Sequence, residues 1–169
     1  MNDNDFESCV HKYRNTVFGT ALCFVKNPSD ADDISQEVFI KLYNYSGQFD
    51  SDEHIRAWLI RCTVNLSKSL LRSYWHRFSA PLEEAGDKVH YDSCTEHTDM
   101  LELLNRLSPK IRAVMYLHYY EGYPAADIGK MLNISESAVM ARLSRGRKRL
   151  RSLLLEERNE DDNGLQEYI

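Results

Sequence analysis

The segment DIGKMLNISESAVMARLSRGRKRLRSLL (127–154) decides the predicted fold of the C-terminal part of the chain. Its first part, DIGKMLNIS, predicts a short helix followed by a tight turn. Gly129 allows two helices to approach closely, and Asn133 tolerates the left-handed conformation that a sharp turn needs. Ser135 is a suitable N-cap for the next helix, and Val139 can fill the gap between the two helices. The segment therefore predicts a helix-turn-helix.

The second helix of this segment has one apolar face, which is predicted to pack in the core, and an opposite face that is predicted to be exposed. At about 100° per residue, Leu143, Gly146, Leu150 and Leu154 stay in a stripe around Val139, which predicts the core face. The opposite side carries Met140, Ala141, Ser144, Arg145 and Lys148.

Six cations and no acid occur between residues 142 and 151, at Arg142, Arg145, Arg147, Lys148, Arg149 and Arg151. One interpretation is a solvated basic helix or a basic tail. A solvated helix usually mixes charges of both signs to gain i,i+4 pairs, whereas Arg142, Arg145 and Arg149 repel one another here. Phosphates would relieve this repulsion through counterion release, so we favour binding to nucleic acid.

Positive charge is confined to two segments of a chain whose formal net charge is -5. Residues 55–78 carry 5 cations and no acid, and residues 99–158 carry 11 cations and 7 acids. The segments 1–54, 79–98 and 159–169 are net negative. A polyanion could therefore be gripped at two places, while the acidic parts face another partner.

Length and composition indicate a globular protein, because 43% of the 169 residues are apolar and 28% are charged. No apolar run reaches the ~18 residues of a membrane span, and the acidic start MNDNDFESCV does not resemble a secretion signal. The four cysteines are far apart, which favours reduced thiols in a cytoplasmic protein over a zinc site. No nucleophile–base or phosphate-loop pattern indicates an enzyme, and we expect no cofactor and no small-molecule substrate.

Helical periodicity dominates the N-terminal part of the chain. Apolar residues recur every three or four positions between 6 and 25, which predicts an amphipathic helix. A second helix is predicted after a capping residue at Ser29 or Asp30. Its apolar face is predicted to contain Ile34, Val38, Phe39, Leu42 and Tyr43. A third helix is predicted to start near Glu53 or His54.

Residues 79–98 have no sustained period and contain Pro81 and Gly86, which predicts a flexible linker. After it, Ser108 and Pro109 predict the start of another helix. The acidic tail, 159–169, is expected to be disordered. The predicted fold is all-α, with two small helical domains, 1–78 and 99–158, of which the C-terminal one is a helix-turn-helix.

Three stretches, in this order and spacing, resemble a known family: DADDISQEVFIKLY (30–43), AWLIRCTVNLSKSLLR (57–72) and SESAVMARLSRGRKRL (135–150). They are similar to the bacterial extracytoplasmic-function sigma factors, the smallest sigma subunits of RNA polymerase. The resemblance covers residues from about 6 to 155. It implies that residues 1–78 bind core polymerase and the promoter's -10 element, and that residues 99–158 bind the -35 element.

The resemblance implies that the helix matching 30–43 docks on the clamp helices of the polymerase β′ subunit. Its polar contacts would be Asp30, Asp33, Gln36 and Glu37. A helix N-terminus enriched in acids for its dipole would also explain Asp30, Asp32 and Asp33, but it explains Gln36 and Glu37 poorly. The other partners implied are the β flap, promoter DNA and an anti-sigma factor, often membrane-anchored, that covers both binding faces.

The segment 55–78 combines cations, which hold phosphates, with aromatic rings, which stack on unpaired bases. By resemblance, this helix and the preceding loop (46–56) capture the -10 strand as it separates, and a flipped base enters a pocket lined by that loop. The residues expected to bind it are Arg56, Trp58, Arg61, Asn65, Lys68, Arg72, Tyr74 and Trp75. Trp58 could instead be core packing. Ser69 stands where the family often has Asp, which leaves the role of that position open.

The residues expected to bind the -35 element are Met140, Ala141, Arg142, Ser144, Arg145, Arg147 and Lys148. Many relatives carry a cation, Ser and an aromatic residue at the positions of Met140, Ala141 and Ser144. Met140 and Ala141 could still contact thymine methyl groups. Ser144 can form a hydrogen bond with either a donor or an acceptor on a base edge. We therefore hypothesise readout that depends on groove shape and on phosphates.

The function predicted is that of a sigma subunit, which confers promoter specificity and helps to melt DNA without turnover. The alternative is a helix-turn-helix regulator that is not a polymerase subunit, such as a response-regulator output module. A phosphoreceiver would need alternating strands and helices, whereas residues 1–78 show only helical patterns.

Overall fold

The computed structural model describes the backbone of residues 3–78 and 103–166 and the side chains of residues 5–73 and 103–156. The helices are α1 (Asp3–Val25), α2 (Pro28–Tyr43), α3 (Asp52–Phe78), α4 (Pro109–Tyr119), α5 (Ala125–Leu132) and α6 (Glu136–Gln166). Residues 103–105 are also helical, and no strand occurs in the described ranges. The prediction of an all-α fold is confirmed. The helices form two compact units, α1–α3 and α4–α6.

The core of the first unit lies where α1, α2 and α3 pack together. Its buried side chains are Cys9, Tyr13, Val17, Ala21, Leu22, Ala31, Ile34, Val38, Leu42 and Leu59. On α1 and α2 these positions recur every three or four residues, so each helix turns one apolar face inward. Full burial of a side chain such as Val17 or Leu42 stabilises the unit by about 1.5–3 kcal/mol.

The junction between α1 and α2 is a two-residue turn. Lys26 adopts a left-handed conformation with φ 58° and ends α1 by donating its N–H to the carbonyl of Leu22 at 2.9 Å. Asn27 is the N-cap of α2, because its Oδ1 accepts the N–H groups of Ser29 at 2.9 Å and Asp30 at 3.3 Å. The prediction of a cap at Ser29 or Asp30 is therefore wrong, since Pro28 already occupies the first helical position.

The start of α3 is fixed by its own cap and by α1. Ser51 Oγ accepts the N–H of His54 at 3.1 Å, so the helix begins at Asp52, one residue before the predicted range. Asp52 forms an ion pair with Lys12 of α1, and the Tyr13 hydroxyl donates to the Asp52 carbonyl at 3.2 Å. These contacts set the end of the loop that joins α2 to α3.

The second unit is built around the buried face of α6. Val139, Leu143 and Gly146 are buried there as predicted. A Cβ at Gly146 would lie 2.6 Å from the sulfur of Met115, so the missing side chain lets α4 approach. Leu154 is 47% exposed, and the prediction that it belongs to the core is wrong. Leu153 is buried instead, because the alternating four-and-three spacing of the stripe reaches residue 153.

Two charged side chains are also buried in this unit. Arg112 is buried on α4, and its guanidinium donates to the carbonyl of Leu107 at 3.4 Å. Glu121 is buried after α4 and accepts the hydroxyl of Tyr116 at 3.2 Å. These hydrogen bonds offset the cost of removing the two charges from water. The first bond connects α4 to Leu107, which precedes its start, and the second connects it to Glu121, which follows its end.

The predictions for the start of α4, the linker and the C-terminal tail have different outcomes. Ser108 occupies the N-cap position of α4 and Pro109 the first helical position, although the Ser108 side chain makes no capping bond. The predicted linker, 79–98, lies outside the described residues, and the domain limits stay a prediction. The expectation of a disordered tail is wrong up to Gln166, because α6 continues to that residue.

Candidate nucleic-acid interfaces

The turn before α6 positions the exposed face of that helix. Asn133 has φ 56° and ψ 52°, the left-handed conformation predicted for it. Gly129 is buried, and a Cβ there would lie 2.9 Å from the carbonyl oxygen of Ile134, so the turn passes directly over α5. Ser135 caps α6, since its Oγ accepts the N–H of Ala138 at 3.2 Å. With Val139 buried, these contacts give the predicted helix-turn-helix.

An uncharged strip lies on the face of α6 that points away from the core. Met140 is 51% exposed, Ser137 and Ala141 are exposed, and Ser144 is half-buried. At about 100° per residue, these four residues share one side of the helix. Lys148 is exposed one turn further along the same side. The strip offers methyl, thioether and hydroxyl groups but no long charged side chain over its first two turns.

Arginines flank this strip on both sides, and several are held by local contacts. Arg145 Nε donates to the carbonyl of Ala141 at 3.3 Å. Arg147 Nη1 donates to the hydroxyl of Tyr119, on α4, at 3.3 Å. Arg149 lies 3.7 Å from Glu156, and Arg142 is half-buried. The seven residues predicted to bind the -35 element are thus all on α6, but Arg142 and Ser144 are less accessible than the others.

A second basic face runs along α3. Arg61, Asn65 and Arg72 are exposed and Lys68 is half-buried. Their spacing of four, three and four residues places them on one side of the helix. Arg56 does not share this side, and it pairs with Glu53 at 3.8 Å. Tyr74 and Trp75 belong to α3, but their side chains lie outside the described part of the chain.

Trp58 belongs to an aromatic cluster that fixes the loop between α2 and α3. Its ring centroid is 5.1 Å from that of Tyr45 and 5.8 Å from that of Phe49, and Phe49 also meets His54 edge to face at 5.3 Å. Trp58 is half-buried against the core of the first unit. These contacts favour the packing alternative, so Trp58 orders the loop beside the basic face of α3.

The residues predicted to bind polymerase lie on the outer side of α2. Asp33, Gln36 and Glu37 are exposed, whereas Asp30 is half-buried. Gln36 Nε2 donates to Asp32 Oδ2 at 2.8 Å, and Glu37 pairs with Lys41 at 3.2 Å. The helix therefore presents acid and amide groups outward in one row.

An apolar groove borders this row and was missed by sequence reasoning. It lies between α1 and α2, has a volume of about 750 Å³, and is lined in part by Phe6, Phe39, Ile40 and Tyr43. Ile40 is 60% and Tyr43 56% exposed, so the prediction that Tyr43 lies on the buried face is wrong. Tyr43 packs edge to face on Phe6 at 5.1 Å. Its apolar character predicted burial, but it lies about 100° around α2 from the buried Leu42, outside the stripe that faces the core.

Burial changes the pKa of two cysteine thiols in the first unit. Burial raises the pKa of the Cys9 and Cys62 thiols, which keeps them protonated and poorly nucleophilic. Among the described residues, no group of three His, Cys, Asp or Glu side chains could hold a metal ion. None of the described helices combines the length and apolar character that crossing a membrane requires.

Comparison with protein families matches each of the two units to a known family. A family described as Sigma-70 region 2 matches residues 9–77, which contain most of the groove, the acid row and the basic face of α3. A family described as Sigma-70, region 4 matches residues 97–150, which contain the helix-turn-helix. The two matches occur in the order that the sequence resemblance implies.

Individual relatives agree with this assignment. The "Probable RNA polymerase sigma factor RfaY" of Xanthomonas campestris pv. campestris is 30% identical over 157 residues, covering 85% of this chain and 38% of that protein. The chain therefore spans little more than a third of that relative. The "ECF RNA polymerase sigma factor SigW" of Bacillus subtilis is 28% identical over 165 residues, covering 88% of each protein.

Solved structures show the same fold. A chain in the complex of the sigma factor RpoE with the anti-sigma factor NepR from Bartonella quintana matches with a TM-score of 0.70 and 21% identity. The match covers 89% of this chain and 96% of that one. This chain belongs to the sigma-70 family of RNA polymerase sigma factors, in its extracytoplasmic-function group. A regulator that acts outside the polymerase is not favoured.

Proposed function

We propose that this chain binds core RNA polymerase, brings it to promoters through their -10 and -35 elements, and helps to separate the strands at the -10 element. The observation that carries the proposal is the presence of two basic helical faces, one on each unit. Each face lies within the stretch that matches a different region of the sigma-70 family. A single DNA-binding unit would need only one of them.

At the -35 element, α6 enters the major groove with its uncharged strip towards the bases. An α-helix with its side chains is about 10–12 Å wide, which fits a groove about 12 Å wide. Arg145 and Arg147 flank the strip and bind phosphates on either side of the groove. Because Met140 and Ala141 offer apolar contacts, thymine methyl groups are the base features they can read.

At the -10 element, α3 holds the sugar–phosphate backbone with Arg61, Lys68 and Arg72 while Asn65 faces the separated strand. The loop between α2 and α3 is stiffened by the aromatic cluster of Tyr45, Phe49 and Trp58. A stiff loop loses little entropy when it accepts a flipped base, which favours capture of the open strand.

The acid row of α2 meets the polymerase. Asp33, Gln36 and Glu37 can accept hydrogen bonds from basic groups of the β′ clamp helices, and complementary charge accelerates the encounter. The apolar groove beside them adds apolar surface that would be removed from water when the polymerase binds. An anti-sigma factor that covers this face would compete with the polymerase, and the second unit would meet the β flap.

We also infer that the chain acts by binding alone, without turnover, and that it works in the cytoplasm where core polymerase and DNA are found. Its role is then stoichiometric, so the amount of correctly started transcript is set by the amount of holoenzyme.

Run-off transcription with purified core polymerase tests the proposal. The wild-type chain should direct transcripts of defined length, and Glu37→Gln should lower core binding and transcript yield together. Glu7→Gln is the matched control, because Glu7 is an exposed acid of α1 that does not line the groove. Equal loss in both variants, or no defined transcript with the wild type, would reject the assignment.

A further inference from the structure

Tyr119 extends the basic surface of α6 onto a neighbouring helix. It lies at the end of α4 and is 54% exposed. Its hydroxyl accepts a hydrogen bond from Arg147 Nη1 at 3.3 Å, although the two residues are 28 positions apart. The ring of His118 packs edge to face against it, with centroids 4.8 Å apart. The tyrosine is thus held in place beside a cation of the DNA-binding helix.

Tyr119 and Arg147 each keep hydrogen-bond donors beyond the bond that joins them. A phenol that accepts one bond still carries its own O–H proton, and a guanidinium with five N–H groups has four more after donating one. Among the described residues, no acceptor for the Tyr119 proton is found. The bond from a cation polarises the hydroxyl and makes it a stronger donor. One O–H and several N–H donors therefore lie next to each other at this pair.

The pair lies at the border of the strip that faces the bases. Counted at about 100° per residue, Arg147 is close to Met140 around the axis of α6, on the side of the helix towards α4. When α6 occupies the major groove, side chains at this border meet the sugar–phosphate backbone rather than base edges. A phosphate has acceptor oxygens for both donors.

We propose that the Tyr119 hydroxyl and the Arg147 guanidinium together form a binding site for one DNA phosphodiester group beside the -35 element. The site rests on the proposed function, and it adds a contact from α4 to those of the recognition helix. Tyr119 donates its proton to one phosphate oxygen while Arg147 donates to another. The tyrosine also restrains the guanidinium, which lowers the entropy lost on binding.

The test uses full-length chain in holoenzyme and a promoter duplex obtained from mapped start sites. Tyr119→Phe removes only the hydroxyl and should weaken binding about threefold to tenfold, as expected for a lost hydrogen bond. Arg147→Gln should also reduce the slope of log affinity against log salt by about one. Tyr120→Phe is the matched control and should change affinity less than twofold, because Tyr120 is half-buried and stacked on Tyr116.

Single methylphosphonates, which remove the charge of one phosphate at a time, then locate the contact. The loss caused by Tyr119→Phe should vanish at one methylphosphonate only, the one that also abolishes the effect of Arg147→Gln. A loss that persists at every substituted position, or no loss at all, would overturn the site. If wild-type holoenzyme bound no promoter, the proposed function itself would fail, which separates the two outcomes. Unchanged helical circular dichroism shows that the variants are folded.

Discussion

Replacing Leu143 with Ala should unfold the helix-turn-helix unit at a much lower temperature while leaving the first unit unaffected. Leu143 is 1% exposed, on the face of α6 that packs against α4 and α5. Truncation of a fully buried leucine removes transfer energy and leaves a cavity, which costs about 2–5 kcal/mol. At about 4–8 °C per kcal/mol for a domain of this size, the melting temperature of the second unit should fall by at least about 8 °C.

The positions of the tryptophans allow the two units to be followed separately in the full-length chain. Trp58 and Trp75 are the only two tryptophans, and both belong to α3. Tryptophan fluorescence therefore reports the first unit, whereas far-ultraviolet circular dichroism reports the helices of both. In Leu143→Ala, the dichroism should show an early transition that the fluorescence does not.

Leu154→Ala is the matched control, because it makes the same truncation on the same helix at a side chain that is 47% exposed. Its cost should stay below about 1 kcal/mol. Equal losses for Leu143→Ala and Leu154→Ala would show that the register of α6 is wrong. A fluorescence transition that shifts together with the dichroism would show that the two units do not unfold independently.

Three further predictions concern single residues. Lys26→Gly should raise the free energy of unfolding of the first unit by about 1 kcal/mol in urea titrations followed by fluorescence, because glycine adopts the left-handed conformation without steric cost; unchanged stability would refute this. A hydrogen bond from Lys12 lowers the pKa of Asp52, so the pair stabilises the unit above the ordinary pKa of about 3.9 and is lost as the pH falls through the lowered value. Asp52→Asn should therefore weaken the first unit at pH 7 and flatten its acid unfolding curve, and an identical curve would contradict the argument. Arg145→Ala should weaken promoter binding equally across sequences and reduce the salt slope by about one, whereas an unchanged slope would exclude a phosphate contact.

The sequence alone predicted features that depend on local pattern. Helical spacing predicted α1, α2, α3 and α6, capping signals predicted α4, and the demand for a left-handed residue identified Asn133 as the turn between α5 and α6. The buried face of α6 followed from the spacing of Val139, Leu143 and Gly146. These signals are local because backbone conformation and amphipathic period are properties of a few neighbouring residues.

Features that depend on contacts between distant segments were missed. The bond from Arg147 to Tyr119 joins residues on different helices, so no spacing in the sequence signals it. The aromatic cluster around Trp58 likewise forms only when the loop folds back on α3. Tyr43 was placed in the core beside Leu42, yet it lies about 100° further around α2, away from the buried stripe of Ile34, Val38 and Leu42.

Start-site mapping of transcripts made by core polymerase with this chain tests the central claim most directly. If two basic faces on separate units read one promoter, the mapped sites should share two sequence blocks, near -10 and near -35. Arg145→Ala should weaken use of all these sites alike. Transcripts that begin at scattered positions, or at the same positions without the chain, would contradict the account.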